Sequence, residues 1–205
     1  MAGPSLSTDA LVLLKRPPSD SFQTFTAFSA EHGPLLILLR IPKKNTGNSV
    51  ALDLFDEASL VLESASQGQT WFVKEVRLIS RQPGLGRSYE TLQAASTLAQ
   101  LAARNAVSED GRARVYALLR DAFAALATSP RPDIVYLKSL YRFARDEGYP
   151  VKEQWFPALP AADRGAVVTL LNQPAAGQTT EPSIVAKLRG RLEDYLRGQT
   201  EILLD

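Results

Sequence analysis

The chain has 205 residues, 45% hydrophobic and 22% charged, which is the composition of one large or two small globular domains rather than of a disordered segment. Lys and Arg total 23 against 22 Asp and Glu, a net charge of +1; this excludes a histone-like or acidic-tail protein but leaves room for a local basic face. With no cysteine and one histidine, disulfides, thiolate chemistry, iron–sulfur clusters and zinc sites built from cysteines or mainly from histidines are excluded.

The first part of the chain reads as strands. Residues 10–14 are a short apolar run ended by Lys15-Arg16-Pro17-Pro18. Residues 22–28 mix aromatics with Thr, as half-buried strands do. After the Gly33-Pro34 turn signal, residues 35–41 are continuously apolar, the pattern of a strand buried on both faces. Pro42 stops it, and a polar loop from Lys43 to Asn48 follows. Residues 52–62 resume the strand pattern, with Leu60 and Leu62 on one side and Val61 on the other. Gly68 marks a hairpin, and residues 71–79 form a fifth strand with Phe72, Val76 and Leu78 at even spacing. Five short, closely spaced strands suit a small barrel, for which the five-stranded OB-fold is one natural solution.

From Gln82-Pro83-Gly84-Leu85-Gly86 onward the periodicity is helical. Ser88 is a candidate N-cap, with Tyr89, Leu92, Ser96, Ala99 and Ala103 on one stripe, widened by Leu98 and Leu101. Ser108 to Gly111 is a break. Val115, Leu118, Leu119, Ala122 and Leu126 form a second stripe closed by Ser129-Pro130. Pro132-Asp133 opens a third helix, with Val135, Leu140, Phe143 and Ala144 inward and Gly148 at its C-terminal stop. A proline-containing segment, residues 155–160, precedes a helix over residues 161–172. Pro182 starts the last helix, with Ile184, Val185, Leu188, Leu192 and Tyr195 apolar. This part reads as a helical bundle, so the fold class is α+β.

Little here points to catalysis. Asp53, Asp56 and Glu57 are near enough in sequence for acid–base work or Mg²⁺ binding, but the plainer reading is a solvated turn. Gly84-Leu85-Gly86 lacks a third glycine and no Gly-Lys-Ser/Thr element occurs, so a phosphate loop fails and a flexible linker is the reading. To act as a base, His32 would need a nucleophile and an orienting carboxylate; a turn histidine is preferred. No enzyme class, catalytic residue, metal site or cofactor is assembled from these pieces.

A binding role has more to stand on. Lys15 and Arg16 close the first strand, Arg40 closes the third, and Lys43 and Lys44 lie in the next loop. On a closed barrel these positions project to the rim, where cations track phosphates and aromatic faces stack bases. Phe22, Phe25, Trp71 and Phe72 are the stacking candidates, although aromatics in alternating strands more often belong to the core. In the helical part, Arg112, Arg114 and Arg120 fall on one helix and Lys138, Arg142 and Arg145 on the next. Lys138 and Arg142 share a face and could receive an acidic, aromatic-ended peptide; the alternative is a solvated helix face.

Asp9-Ala10-Leu11-Val12-Leu13 is followed by Thr24-Phe25-Thr26-Ala27-Phe28-Ser29-Ala30-Glu31-His32-Gly33, then by an apolar strand, a basic loop and Ala51-Leu52-Asp53-Leu54-Phe55. Later come Tyr136-Leu137-Lys138-Ser139-Leu140-Tyr141, Gly148-Tyr149-Pro150, and Arg191-Leu192-Glu193-Asp194-Tyr195-Leu196 with Glu201-Ile202-Leu203-Leu204. As an ordered set these segments resemble the RecO family of bacterial recombination mediators over nearly the whole chain. The resemblance implies an OB-fold domain over residues 1–81 and an all-α domain over residues 82–205. It also implies single-stranded DNA binding, strand annealing, and a handover with a RecR-like protein and the single-strand-binding protein. Arg40, Lys43 and Lys44 carry over as DNA contacts, and Lys138, Arg142 and Arg145 as contacts for the acidic C-terminal tail of the single-strand-binding protein. Two departures stand out. Many family members carry a four-cysteine zinc module where residues 151–160 stand here, without cysteine; packing around Trp155 and Phe156 is expected instead. The basic loop continues as Asn45, Thr46, Gly47 and Asn48, which implies weaker and less salt-sensitive binding.

The expected function is a DNA repair and recombination mediator that binds single-stranded DNA, uses no cofactor and performs no covalent step. The alternative is a protein–protein adaptor on the same scaffold that has lost DNA binding, favoured by the near-neutral first half. A third reading, an enzyme using His32 or the Asp53 cluster, would require a turnover that His32→Ala abolishes. The longest apolar run, residues 35–39, is too short to span a bilayer, and residues 1–9 lack signal-peptide order; a soluble, cytoplasmic protein without membrane contacts is expected.

Overall fold

A computed structural model describes residues 3–42, 51–64 and 68–204. Lys43 and Lys44 of the expected basic loop lie outside the described residues. The chain is α+β, with β1 (Ser5–Lys15), β2 (Phe22–Ser29), β3 (Gly33–Arg40), β4 (Glu57–Ser64) and β5 (Trp71–Ser80) preceding the helices. The strand order is β1–β2–β3–β5–β4, closed by pairing of β4 with β1. All pairings are antiparallel except the short parallel contact of β3 with β5, where Ile37 meets Trp71 and Leu38 meets Phe72.

Side-chain alternation along strands builds the interior. Val12, Phe25, Ala27, Leu35, Ile37, Leu60, Leu62 and Trp71 are buried together. β1 begins earlier than its apolar run, because the polar stretch Ser5–Asp9 pairs with β4. That length lets one strand serve two neighbours. β4 begins later than expected: Asp53 to Asp56 form a turn in which Phe55 takes φ 67° and the Asp53 N–H donates to Asp56 Oδ2 at 2.8 Å. The strand buried on both faces is β1 rather than β3. Ala10, Leu11, Val12 and Leu13 are all buried, whereas Leu36 and Leu38 of β3 are only half-buried. On β5, Leu60 faces Val76 but Leu62 faces Val73, a bulge in the register. The bulge switches the inward side, so Trp71 and Val73 point in before it and Val76 after it; Phe72 is on the outer face.

The described helices are α1 (Tyr89–Arg104), α2 (Arg112–Thr128), α3 (Pro132–Asp146), a short α4 (Phe156–Ala158), α5 (Ala161–Asn172) and α6 (Pro182–Gln199). The stripes expected on α2 and α3 are buried. On α1 the buried face is Thr91, Ala94, Ala95, Leu98, Ala99, Leu101 and Ala102. Tyr89 is 75% exposed and Leu92 41%, so the small alanines rather than the large residues of the first turn make this helix's contacts. On α6, Val185, Leu188, Leu192 and Leu196 are buried while Ile184 is exposed. Pro83–Gly86 is a 3-10 turn with Leu85 buried, not a flexible linker. The segment Val151–Trp155 is π-helical. It is held by buried Val151 and by Trp155, whose indole N–H donates to the Arg191 carbonyl at 3.3 Å; Phe156 is only half-buried.

The chain divides into two compact units, Met1–Gln82 with Ala106–Arg120, and Pro83–Asn105 with Asp121–Asp205. Among the described residues no helix is long and apolar enough to cross a membrane.

Candidate nucleic-acid interface

In the first unit the two ends of the sheet's outer face differ, and α2 residues cover one of them. At the β2–β3 turn, Leu11, Phe28 and Glu57 share an outer row. The Tyr116 hydroxyl of α2 donates to Glu57 Oε1 at 2.7 Å, and the Arg112 guanidinium donates to the Glu31 carbonyl. Burial in this row, with the Glu57 carboxylate beside it, raises the Tyr116 phenol far above its ordinary value. The first turns of α2 therefore lie over this end.

The opposite end has a different chemistry. Phe22 is the cross-strand partner of Arg40, and Thr24 of Leu38; Leu38 in turn meets Phe72. The rings of Phe22 and Phe72 touch edge to face, with centroids 5.4 Å apart and planes at 61°. Both rings are half-buried. Two of the four stacking candidates are thus brought together on the outside. The other two are not available: Phe25 is 0% exposed and Trp71 9%, both in the interior. Alternation separates Trp71 from Phe72, but spacing alone set Phe72 on the side of Val76, because the bulge between Val73 and Glu75 is not visible in it.

Of the expected rim cations, Lys15, Arg16 and Arg40 are described, at the ends of β1 and β3. Arg16 follows β1; its N–H donates to the Thr24 carbonyl at 3.0 Å, and its carbonyl accepts from the Gln23 side-chain amide at 2.5 Å. Arg40 ends β3 opposite Phe22. Arg40 and Arg16 are exposed and have no acidic partner among the described residues. Lys15 is different, since its ammonium lies 3.0 Å from Asp53 Oδ1. Lys74, which the sequence did not single out, pairs with Glu63 at 2.6 Å.

The acids expected to form a turn each have a separate partner. Asp56, with its side chain 1% exposed, receives Arg81 through Nε at 2.8 Å and Nη2 at 2.5 Å. Glu57 accepts from Tyr116 and Asp53 from Lys15. His32 sits in the β2–β3 turn, its N–H near the Ser29 hydroxyl and its ring 3.6 Å from Glu31. Ser29 itself is bonded to Thr8 at 2.6 Å. Among the described residues no three metal-ligating side chains cluster.

In the second unit, Lys138 donates to the Gln173 carbonyl at 2.6 Å, and burial lowers the pKa of its ammonium. Arg142 pairs with Asp121 and Asp146, and Arg145 with Asp146. These three cations are therefore internally engaged. A cleft of about 890 Å³ in this unit is lined by Arg87, Arg131, Tyr136, Val185, Arg189 and Glu193 among others; Lys138, Arg142 and Arg145 do not line it. Its arginines are also committed. Arg131 chelates Asp133, Arg189 pairs with Glu193 and lies 6.0 Å from the Tyr136 ring centre, and Arg87 donates to the Leu126, Ala127 and Ser129 carbonyls.

No protein-family model matches this chain. No curated protein matches it either.

Proposed function

We propose that this protein is a RecO-like, non-enzymatic mediator of DNA repair and recombination that binds single-stranded DNA at the Phe22–Phe72 end of its closed sheet. In this reading the sheet is an OB-fold barrel over residues 1–81, and residues 82–205 are a helical docking domain. The observation that carries the reading is the Phe22–Phe72 pair on the outer face, with Arg40 directly across from Phe22. Aromatic faces stack bases of any sequence, and adjacent guanidiniums follow the phosphates. Arg16, Arg40, Lys15 and the loop residues Lys43 and Lys44 supply the charge. Two strands, or one strand and a recombinase, would be brought together without any covalent step and without a cofactor. A RecR-like protein and the acidic tail of the single-strand-binding protein are the partners. The tail would exchange the internal acids of Arg142 and Arg145 for its own, beside Lys138. A cytoplasmic location follows from this role.

Titration of a labelled single-stranded oligonucleotide with Phe22→Leu and Phe72→Leu tests the stacking surface. Leucine keeps most of the apolar contact, so folding is retained. Affinity should fall by about 1–3 kcal/mol for each base that loses its ring. Affinity unchanged in both variants would remove this surface as the binding site.

A second reading, a protein adaptor on the same scaffold without DNA binding, is favoured by the neutralisation of Lys15 by Asp53 and Lys74 by Glu63. Exchanging Lys43 and Lys44 for Glu separates the two. Nucleic-acid binding is lost under the first reading, and partner capture is unchanged under the second.

A further inference from the structure

One cation of the proposed rim is already occupied by an acid of the same chain. Lys15 reaches Asp53 Oδ1 at 3.0 Å, and the pair is solvent-accessible, with side chains 37% and 62% exposed. The acid is fixed in place while the lysine stem is flexible. Asp53 Oδ1 also accepts the Leu54 N–H at 2.9 Å, and the Asp53 N–H is tied to the buried Asp56 carboxylate. That carboxylate is chelated by Arg81, which also donates to the Ala51 carbonyl. The turn is stitched to β1 from both sides: Val12 N–H donates to the Asp56 carbonyl and Phe55 N–H to the Val12 carbonyl, each at 2.8 Å. Asp53 is therefore presented to Lys15 by a turn whose geometry is set elsewhere.

We propose that Asp53 is a built-in competitor for nucleic-acid phosphate, a negative regulator of binding that a docking strand must displace from Lys15. This rests on the single-strand reading of the rim. An oxyanion on a rigid turn presents to the ammonium the charge that a phosphodiester oxygen would present. While the pair is closed, Lys15 holds no counterion for a strand to release and adds nothing to the salt dependence. An exposed pair of this kind is weak and exchangeable, so phosphate can replace carboxylate. The consequence is a lowered affinity and a faster release, which suit a protein that must hand its strand on.

The test is a double-mutant cycle on the full chain, using a labelled oligothymidylate titrated at several salt concentrations. Asp53→Asn keeps the Oδ1 acceptor for Leu54 and removes the charge. It should tighten binding about two- to fivefold and steepen the slope of log K against log salt by about 0.7, the release of one further counterion from a single strand. In a Lys15→Ala background the same change should alter neither quantity. Equal tightening in both backgrounds would show a general loss of negative charge and overturn the proposal. So would an Asp53→Asn protein that binds like the wild type. A wild-type chain that binds no oligonucleotide at low salt removes the single-strand reading itself, and the competitor role with it.

Discussion

At the scale of single residues, the Asp56–Arg81 contact ties a buried acid of the first unit to the end of β5. Its carboxylate is 1% exposed and satisfied by three donors. Removing it strands the Asp53 N–H and half-exposed Arg81. Asp56→Ala should therefore cost about 2 kcal/mol in urea unfolding, in the range for an unsatisfied buried group; a loss within about 0.5 kcal/mol, the ordinary surface value, would show that the turn is held without it. Asp53 is a subtler case. Burial pushes its carboxyl up, but the Lys15 hydrogen bond, the Leu54 N–H and the charges of Lys15 and Arg81 outweigh that and hold it below its ordinary value. A lowered folded pKa means that the unfolded state binds more protons, so this contribution to stability is complete above the unfolded pKa and fades as pH drops through the folded one. In a carboxyl NMR titration Lys15→Ala should move the Asp53 midpoint upward; an unmoved midpoint would contradict the pairing. These partnerships were not legible in the sequence. Asp53, Asp56 and Glu57 stand close together there, yet they bond to Lys15, Arg81 and Tyr116, distant positions that only the fold brings near.

At the scale of elements, periodicity located most helices and strands but not always their faces. The α2 and α3 stripes were readable because large apolar residues mark them. On α1 the expected Leu98, Ala99 and Leu101 are buried, but Tyr89 and Leu92 of its first turns are not, and Thr91, Ala94, Ala95 and Ala102 take the remaining buried places. Along β3 the unbroken apolar run concealed an outer face, and that face carries Leu38 into the candidate site. Local turn chemistry was more legible. Gly33 has φ +69°, and an added Cβ would come within 2.9 Å of Arg112 Nε. Gly33→Ala should thus destabilise by more than about 1 kcal/mol, since left-handed backbone and crowding both oppose a side chain there. Ser88 caps α1 by accepting the Thr91 N–H at 3.2 Å, and Ser88→Ala should cost about 1 kcal/mol. Thermal unfolding of the two variants checks both, and a wild-type midpoint for either would remove its assigned role.

At the scale of the whole molecule, the balance of 23 basic and 22 acidic residues concealed an uneven distribution. Among the described rim residues, Arg16 and Arg40 have no acidic partner, and Arg40 stands across from Phe22 of the outer-face aromatic pair. Composition alone cannot convey this, because binding depends on where charge lies and not on its total. The most direct measurement is the salt dependence of affinity for a labelled single-stranded oligonucleotide, compared between the wild type and Arg40→Gln. If phosphates dock at this end of the sheet, log K falls linearly with log salt, and Arg40→Gln makes that slope shallower by about 0.7, one phosphate contact on a single strand. Affinity indifferent to salt, or the same slope in both proteins, would contradict it.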